Sequence, residues 1–356
     1  MNLISFKLEK RTPPSWWFRM LMPIMAVIIS LAISSIFLLA LRKNPFTAFY
    51  YLFYGGLGTK FAFLEMLVKA TPLILTGIAV SIAFLAKYWN IGAEGQLYAG
   101  ALLATWVGIQ NFNLSPFFYV SLVIIAGFVG GGVWSFIPAY LKAKFKVDDV
   151  VTTLLMNYIM IYFVSAILTG PWRNPVSMWP ESVNIAENAR LIQLVPRSRV
   201  HIGFLIAVAV VFVAYFIVKK TKLGFEIRAT GSNPKAANFL GINTLKTIII
   251  ASVLSGGVAG LAGVSEVAGV HYHLIQNLSP GYGYSGIVIA MLGGLNPFGV
   301  LFAALYFSVI ITGAQMMSRS VGIPPYIADV IQGITLIVML AMLLLFEYKI
   351  SIRRGK

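Results

Sequence analysis

The chain has 356 residues, of which 59% are hydrophobic and only 11% charged, and its mean hydropathy is +0.85. Soluble domains carry about 25% charged residues, so this is an integral membrane protein. The net charge of +16 does not point to nucleic acid, because the basic residues lie in loops between apolar runs, where they orient a chain against anionic lipid.

Apolar runs of about 20 residues are candidate spanning helices. Ten are predicted, at 20–41, 64–86, 91–109, 117–141, 149–169, 202–218, 246–268, 279–295, 298–317 and 326–346. The first is too long for a signal-peptide core and has no small-residue cleavage site before Arg42 and Lys43, so it is expected to stay as an anchor. Residues 42–63 are aromatic and glycine-bearing, as suits the membrane interface. The 91–109 run opens on the polar sequence NIGAEGQ and is expected to be broken or re-entrant. The long connection 170–201 holds four prolines together with Arg173, Arg190, Arg197 and Arg199, which suit an acidic external partner or simple solvation.

An even number of spans puts both termini on one side. That face then carries roughly 18 Lys/Arg against about 8 on the other, so both termini are expected in the cytoplasm.

The loop 219–246 reads KKTKLGFEIRATGSNPKAANFLGINTLK, with six Lys/Arg against one Glu. Ser232, Asn233 and Pro234 form a helix start, an N-cap candidate followed by proline. Lys235 to Leu240 suffice for about two turns, and Gly241 is a natural stop. A capped helix in a cytoplasmic loop suits the docking of a partner; an ordinary basic loop is the plainer alternative.

Ionisable and amide residues inside spans are costly and face cavities or other helices. The candidates for a solute path are Asn90, Glu94, Gln96, Asn157 and Glu266; Gln315 is a further polar residue within a span, and Asp329 and Gln332 share a face of the last span, where they suit capping or bridging of neighbours. Asn157 equally suits an interhelical hydrogen bond, and Glu266 sits near a helix end where water can reach it. Glu65 and Lys69 are spaced as a helical ion pair. Gly127/Gly131 and Gly256/Gly260 place small residues on one helix face for close packing. The segment LSPGYGYSGIVIAMLGGLNPFG at 278–299, with Tyr282 and Tyr284, is a span broken by Pro and Gly, and broken helices line cavities in transporters.

The chain contains no cysteine, no GxxxxGK[ST] and no HExxH. His201, His271 and His273 have no partner set for a metal, so neither a metal nor a cofactor is expected, and an enzyme is poorly supported.

Four blocks carry a resemblance: NIGAEGQLYAGAL at 90–102, VTTLLMNYI at 151–159, GFEIRATGSNPKAANFLGIN at 224–243 and SPGYGYSGIVIAMLGGLNPFGVL at 279–301. In this order they resemble the permease subunits of bacterial ABC importers. The family is that of the ribose, galactose and branched-chain amino acid permeases, and the likeness is greatest to its nucleoside and simple-sugar branch. It extends over about 43–347. The resemblance implies a single all-α transmembrane permease domain over 1–356, with about ten spans, like the permease of the vitamin B12 importer. It implies no catalytic residues in this chain, with ATP hydrolysed by separate ATP-binding subunits. It also implies a second permease subunit, often a paralogue forming a heterodimer, and an external solute-binding lipoprotein, in the bacterial cell membrane. The family's coupling helix then falls on Gly231, Ser232, Asn233, Pro234, Lys235, Ala236, Ala237, Leu240 and Gly241. Lys235 and Asn238 depart from the Glu and Arg-type residues frequent there. A nucleoside is the expected solute, with a simple sugar or riboflavin as alternatives. An ion-coupled secondary transporter is the alternative of another class.

Overall fold

The computed structural model describes residues 4–10, 16–110 and 112–354. Its helices in chain order are α1 (Trp16–Ala40), α2 (Pro45–Leu57), α3 (Lys60–Leu85), α4 (Ala93–Gly108), α5 (Pro116–Phe145), α6 (Asp149–Thr169) and α7 (Gly203–Lys220), then α8 (Lys222–Ser232), α9 (Pro234–Phe239), α10 (Thr244–Glu266), α11 (Tyr282–Leu292), α12 (Pro297–Val321) and α13 (Ile327–Glu347). Every predicted span coincides with one of these helices. Among the described residues seven are long and apolar enough to cross a membrane. The sequence NIGAEGQ delays its helix and does not break it: α4 runs unbroken over Ala93–Gly108, 16 residues, while α11 has only 11. The aromatic stretch after the first span is a helix in its own right, α2, with Phe46 and Tyr50 exposed.

Local chemistry explains the boundaries. Thr59 caps α3 by accepting from the Ala62 amide, and Asp148 caps α6 by accepting from Val151. Pro116 opens α5, which runs to a left-handed Lys146. Asn243 caps α10 through the Lys246 amide, and α10 continues into a π-helical turn at Val267–His271.

The chain divides into two compact units, 1–52 with 314–356, and 53–313. In the first, strands β1 (Ile4–Lys10) and β2 (Tyr348–Arg354) pair antiparallel, with Ile4 opposite Arg354 and Lys10 opposite Tyr348. Both segments alternate apolar and polar residues, ISFKLEK and YKISIRR, which is a strand signal. This ribbon is an addition to an otherwise helical architecture. Helices α1 and α13 pack together, and the Thr335 hydroxyl donates to Ser30 Oγ at 2.9 Å.

In the second unit α10 packs against α3, α4 and α5. The closest approaches are made by glycine. A Cβ at Gly131 or Gly260 would collide with the facing backbone at Gly256 and Gly127, so the four predicted small residues do form one seam between α5 and α10. Ser135 donates to Ser252 O at 2.8 Å in the same seam. Most of α3 is buried, 89% of its central window, against 22% for α6, although the two are equally apolar. Hydropathy marks both as spans and does not separate core from edge.

Candidate functional site

Three places bring the predicted residues into defined geometry. The first is the basic loop. It begins with α8, where sequence reading saw no helix; the Thr221 hydroxyl caps it by accepting from Gly224. Asn233 then caps α9, its Oδ1 accepting from Lys235 at 3.1 Å and Ala236 at 3.2 Å, with Pro234 at the first helical position. Leu240 ends the helix, and Gly241 follows with φ +81°. The predicted start, turn count and stop are therefore all present. Phe239 and Leu240 are 93% and 72% exposed, the most exposed of the large apolar side chains in this loop. Gly231, at the end of α8, lies so close to the last residue of α3 that a Cβ there would strike the Leu85 carbonyl. Ser232, Pro234, Lys235 and Ala236 are exposed, whereas Ala237 is buried and holds α9 down.

The second place is the junction of α4 and α11. Asn90 and Gln96 are fully buried and exchange two amide hydrogen bonds, at 3.0 and 2.9 Å. Asn90 also donates to Ser255 Oγ at 2.9 Å, and Ser255 donates to Ala79 O at 2.6 Å. Every polar group in this chain of contacts has a protein partner. Asn157 is likewise spent on the protein: its Nδ2 donates to Ile91 O at 2.9 Å and to the Tyr284 hydroxyl at 3.3 Å, while its Oδ1 accepts from Gly95 at 2.8 Å. It ties α6 to the non-helical backbone before α4. Glu94, 3% exposed, accepts from the Gly283 amide at 2.7 Å. Tyr282 is buried, and its carbonyl accepts from Thr76 Oγ1 at 3.0 Å, deep within α3; Tyr284, in the first turn of α11, is only partly covered. Glu94, Asn157, Tyr282 and Tyr284 thus meet at one junction with Asn90 and Gln96 beside it.

Glu266 is buried rather than open to water, and its carboxylate faces His271 Nε2 at 3.5 Å. Glu65, expected to pair with Lys69, is also gripped by Arg199, whose Nε donates at 3.1 Å and whose Nη2 makes a second contact. The long loop containing Arg199 is docked, not merely solvated: Ile185 and Leu191 are buried, Ser182 donates to Leu274 O and Leu191 to Ala268 O. Of its arginines, Arg190 stacks on Tyr272 at 4.7 Å, Arg173 Nε donates to Met178 O at 2.8 Å, and Arg197 is exposed with no partner among the described residues. His201 is buried in the same loop, its Nδ1 accepting from Gly203, and burial pushes its pKa down to about 4. Sequence spacing gives no hint of the pairs Glu65–Arg199, His273–Glu181 at 3.4 Å or Lys142–Asp149 at 2.5 Å, because each joins residues on different elements.

Comparison with known proteins places these features in context. The family described as "Branched-chain amino acid transport system / permease component" matches residues 62–340. A glucose ABC transporter permease protein of Haloferax volcanii is 34% identical over 99% of this chain and 96% of its own length. Two guanosine ABC transporter permease proteins of Bacillus subtilis also match. One is 33% identical over 89% of this chain and 92% of its own, the other 26% identical over 74% and 83%. No solved structure matches the chain.

Proposed function

The chain belongs to the branched-chain amino acid transport system permease component family, and on that premise we propose that it is the membrane subunit of an ATP-driven importer whose solute is a nucleoside. It is not itself the ATPase; nucleotide is hydrolysed by separate subunits. The observation that carries the mechanism is α9, a capped helix presenting Phe239 and Leu240 to solvent. Exposed apolar side chains on a rigid short helix suit insertion into a groove of an ATP-binding subunit. The backbone contact of Gly231 with Leu85 then passes the motion of α8 and α9 to the end of α3 and to the non-helical segment leading into α4.

The solute path in this reading runs past Tyr284, with Asn90, Glu94, Gln96, Asn157 and Tyr282 shaping its wall from behind. Glu266 is its outermost carboxylate. The basic loop and both termini face the cytoplasm, and the 170–201 loop faces outward, where Arg173, Arg190, Arg197 and Arg199 meet an external solute-binding lipoprotein. The second permease subunit is a paralogue, a reading favoured by the pair of guanosine permease proteins that both resemble this chain. A sugar is the second reading for the solute, favoured by the glucose permease relative.

Uptake of labelled guanosine and of labelled glucose by the assembled complex decides between the solutes. Deleting residues 232–240, or introducing Gly241→Pro, is expected to abolish uptake and co-purification of the ATP-binding subunit while the spans remain inserted. Wild-type binding and uptake in either variant would refute the docking role. The absence of native cysteine allows a direct check of orientation. An Asn188→Cys variant should react with an impermeant maleimide on intact cells; labelling only after disruption reverses the topology.

A further inference from the structure

The N-terminus of α11 is deep in the protein, where the Tyr282 carbonyl meets Thr76 within α3. A buried half-helix start carries a partial positive charge on unsatisfied amides, and in transporters such ends meet anionic groups of the solute. Here the amides are already taken. Ser279 Oγ accepts from Gly281 at 3.1 Å and Tyr282 at 2.9 Å, and the Glu94 carboxylate accepts from Gly283 at 2.7 Å. Glu94 belongs to the first turn of α4, so its carboxylate also lies at the start of a second helix. No Lys, Arg or His pairs with it among the described residues. Nor is there room for a solute group between the helices, because a Cβ at Gly283 would strike the Glu94 backbone.

We propose that Glu94 is a built-in anion that occupies the α11 helix start in place of a solute anion, and so restricts this permease to solutes without a negative charge. The inference rests on the reading of the chain as a solute permease. An ionised carboxylate there carries a full negative charge against the roughly half positive charge of the helix start. A solute phosphate or carboxylate arriving beside Tyr284 therefore meets net negative charge in surroundings that screen it poorly. A nucleoside or a sugar meets no such repulsion. Nucleotides and amino acids, which carry phosphate or carboxylate, are turned away at this point. Glu94 is a positioning and specificity residue that acts through α11 and does not touch the solute.

Two measurements test this, and they fail independently. The first uses the purified chain in detergent and requires no transport. Glu94→Ala should lower the thermal midpoint, and added formate should restore much of the loss while isosteric formamide does not. Equal restoration by both, or by neither, removes the anionic cap. The second uses the assembled complex in liposomes with Glu94→Gln, which keeps the shape and an acceptor oxygen. Guanosine 5′-monophosphate should inhibit labelled guanosine uptake at about tenfold lower concentration in the variant than in wild type, equivalent to about 1.4 kcal/mol. Identical inhibition curves, or none in either complex, overturn the charge filter. If wild type takes up glucose but no guanosine, the nucleoside reading fails instead, and glucose 6-phosphate against labelled glucose becomes the competitor pair.

Discussion

Helices α9 and α11 are both short, and both begin where the chain would otherwise turn, yet they are held by opposite means. The cap of α9 is Asn233, the residue immediately before it, and the helix lies largely in solvent. That of α11 combines Ser279, three residues upstream, with Glu94 from a helix far away in sequence, and the helix start is buried. A local cap sets a helix wherever the chain happens to be. A remote cap sets it only when two distant elements are already packed, so α11 is fixed by tertiary structure and α9 by sequence.

The largest expected effect comes from prising α11 off its remote cap. Gly283→Ala places a methyl group against the Glu94 backbone, where neither side is a flexible side chain. Overpacking of this kind is expected to cost about 3 kcal/mol or more. The variant should be recovered in low yield with a depressed thermal midpoint. Wild-type stability would show that α4 and α11 separate freely, and the tight remote cap would be lost with it.

The same contrast explains what could be read in advance. The spans follow from apolar run lengths, and α9 follows from Asn233, Pro234 and Gly241, because those signals lie within a few residues of what they control. The polarity of NIGAEGQ marks a late helix start, but not the partners of those polar groups. Asn90 with Gln96 is a local pair; Asn157 with Ile91, Glu94 with Gly283 and Glu65 with Arg199 are set by packing. The Glu65 case shows the limit well. Its spacing to Lys69 suits a helical pair, but the closer partner is a planar guanidinium offering two donors from a distant loop. The terminal ribbon is absent from the all-α reading of the sequence: ISFKLEK and YKISIRR alternate, but segments seven residues long at opposite ends of a chain announce no pairing.

His201 offers a second break, because its near partner is local and its far surroundings are not. Its Nδ1 accepts from Gly203, two residues on, while Gly269 packs against the ring. The folded pKa of about 4 lies below the unfolded value, so below about pH 6.5 the unfolded chain binds the proton more readily. Stability is therefore full above that pH and falls as the pH drops toward 4, by about 2 kcal/mol at pH 5, then levels off once both states are protonated. His201→Asn, which keeps an acceptor for Gly203, should flatten this part of the profile in detergent unfolding. An unchanged slope would assign the pH dependence elsewhere.

Returning to α9, its stop is tested more gently than its start is in α11. Gly241 has φ +81° with open space around it, so only backbone strain opposes a side chain there. Gly241→Ala is expected to cost about 1–2 kcal/mol of local stability, and Gly241→Asn less, because Asn tolerates the left-handed region. Faster amide exchange at Leu240 and Ile242 in the alanine variant alone would agree. Equal exchange in both variants would remove the strained stop.

The smallest effect is predicted for the local cap itself. Asn233→Ala removes the oxygen that accepts from Lys235 and Ala236. Loss of such a cap costs about 1 kcal/mol, which is enough to fray a helix of six residues but not to unfold the membrane core, because α9 is attached to that core mainly through Ala237. Global unfolding should therefore be unchanged while amide exchange at residues 235–237 quickens. Affinity for the ATP-binding subunit should fall about fivefold, the part of 1 kcal/mol that preorganisation contributes. Asn233→Asp, which keeps the acceptor and adds a charge that the helix start favours, should restore both. If the alanine variant lowers the global midpoint as much as Gly283→Ala does, α9 is not held by its local cap, and the two short helices are held alike.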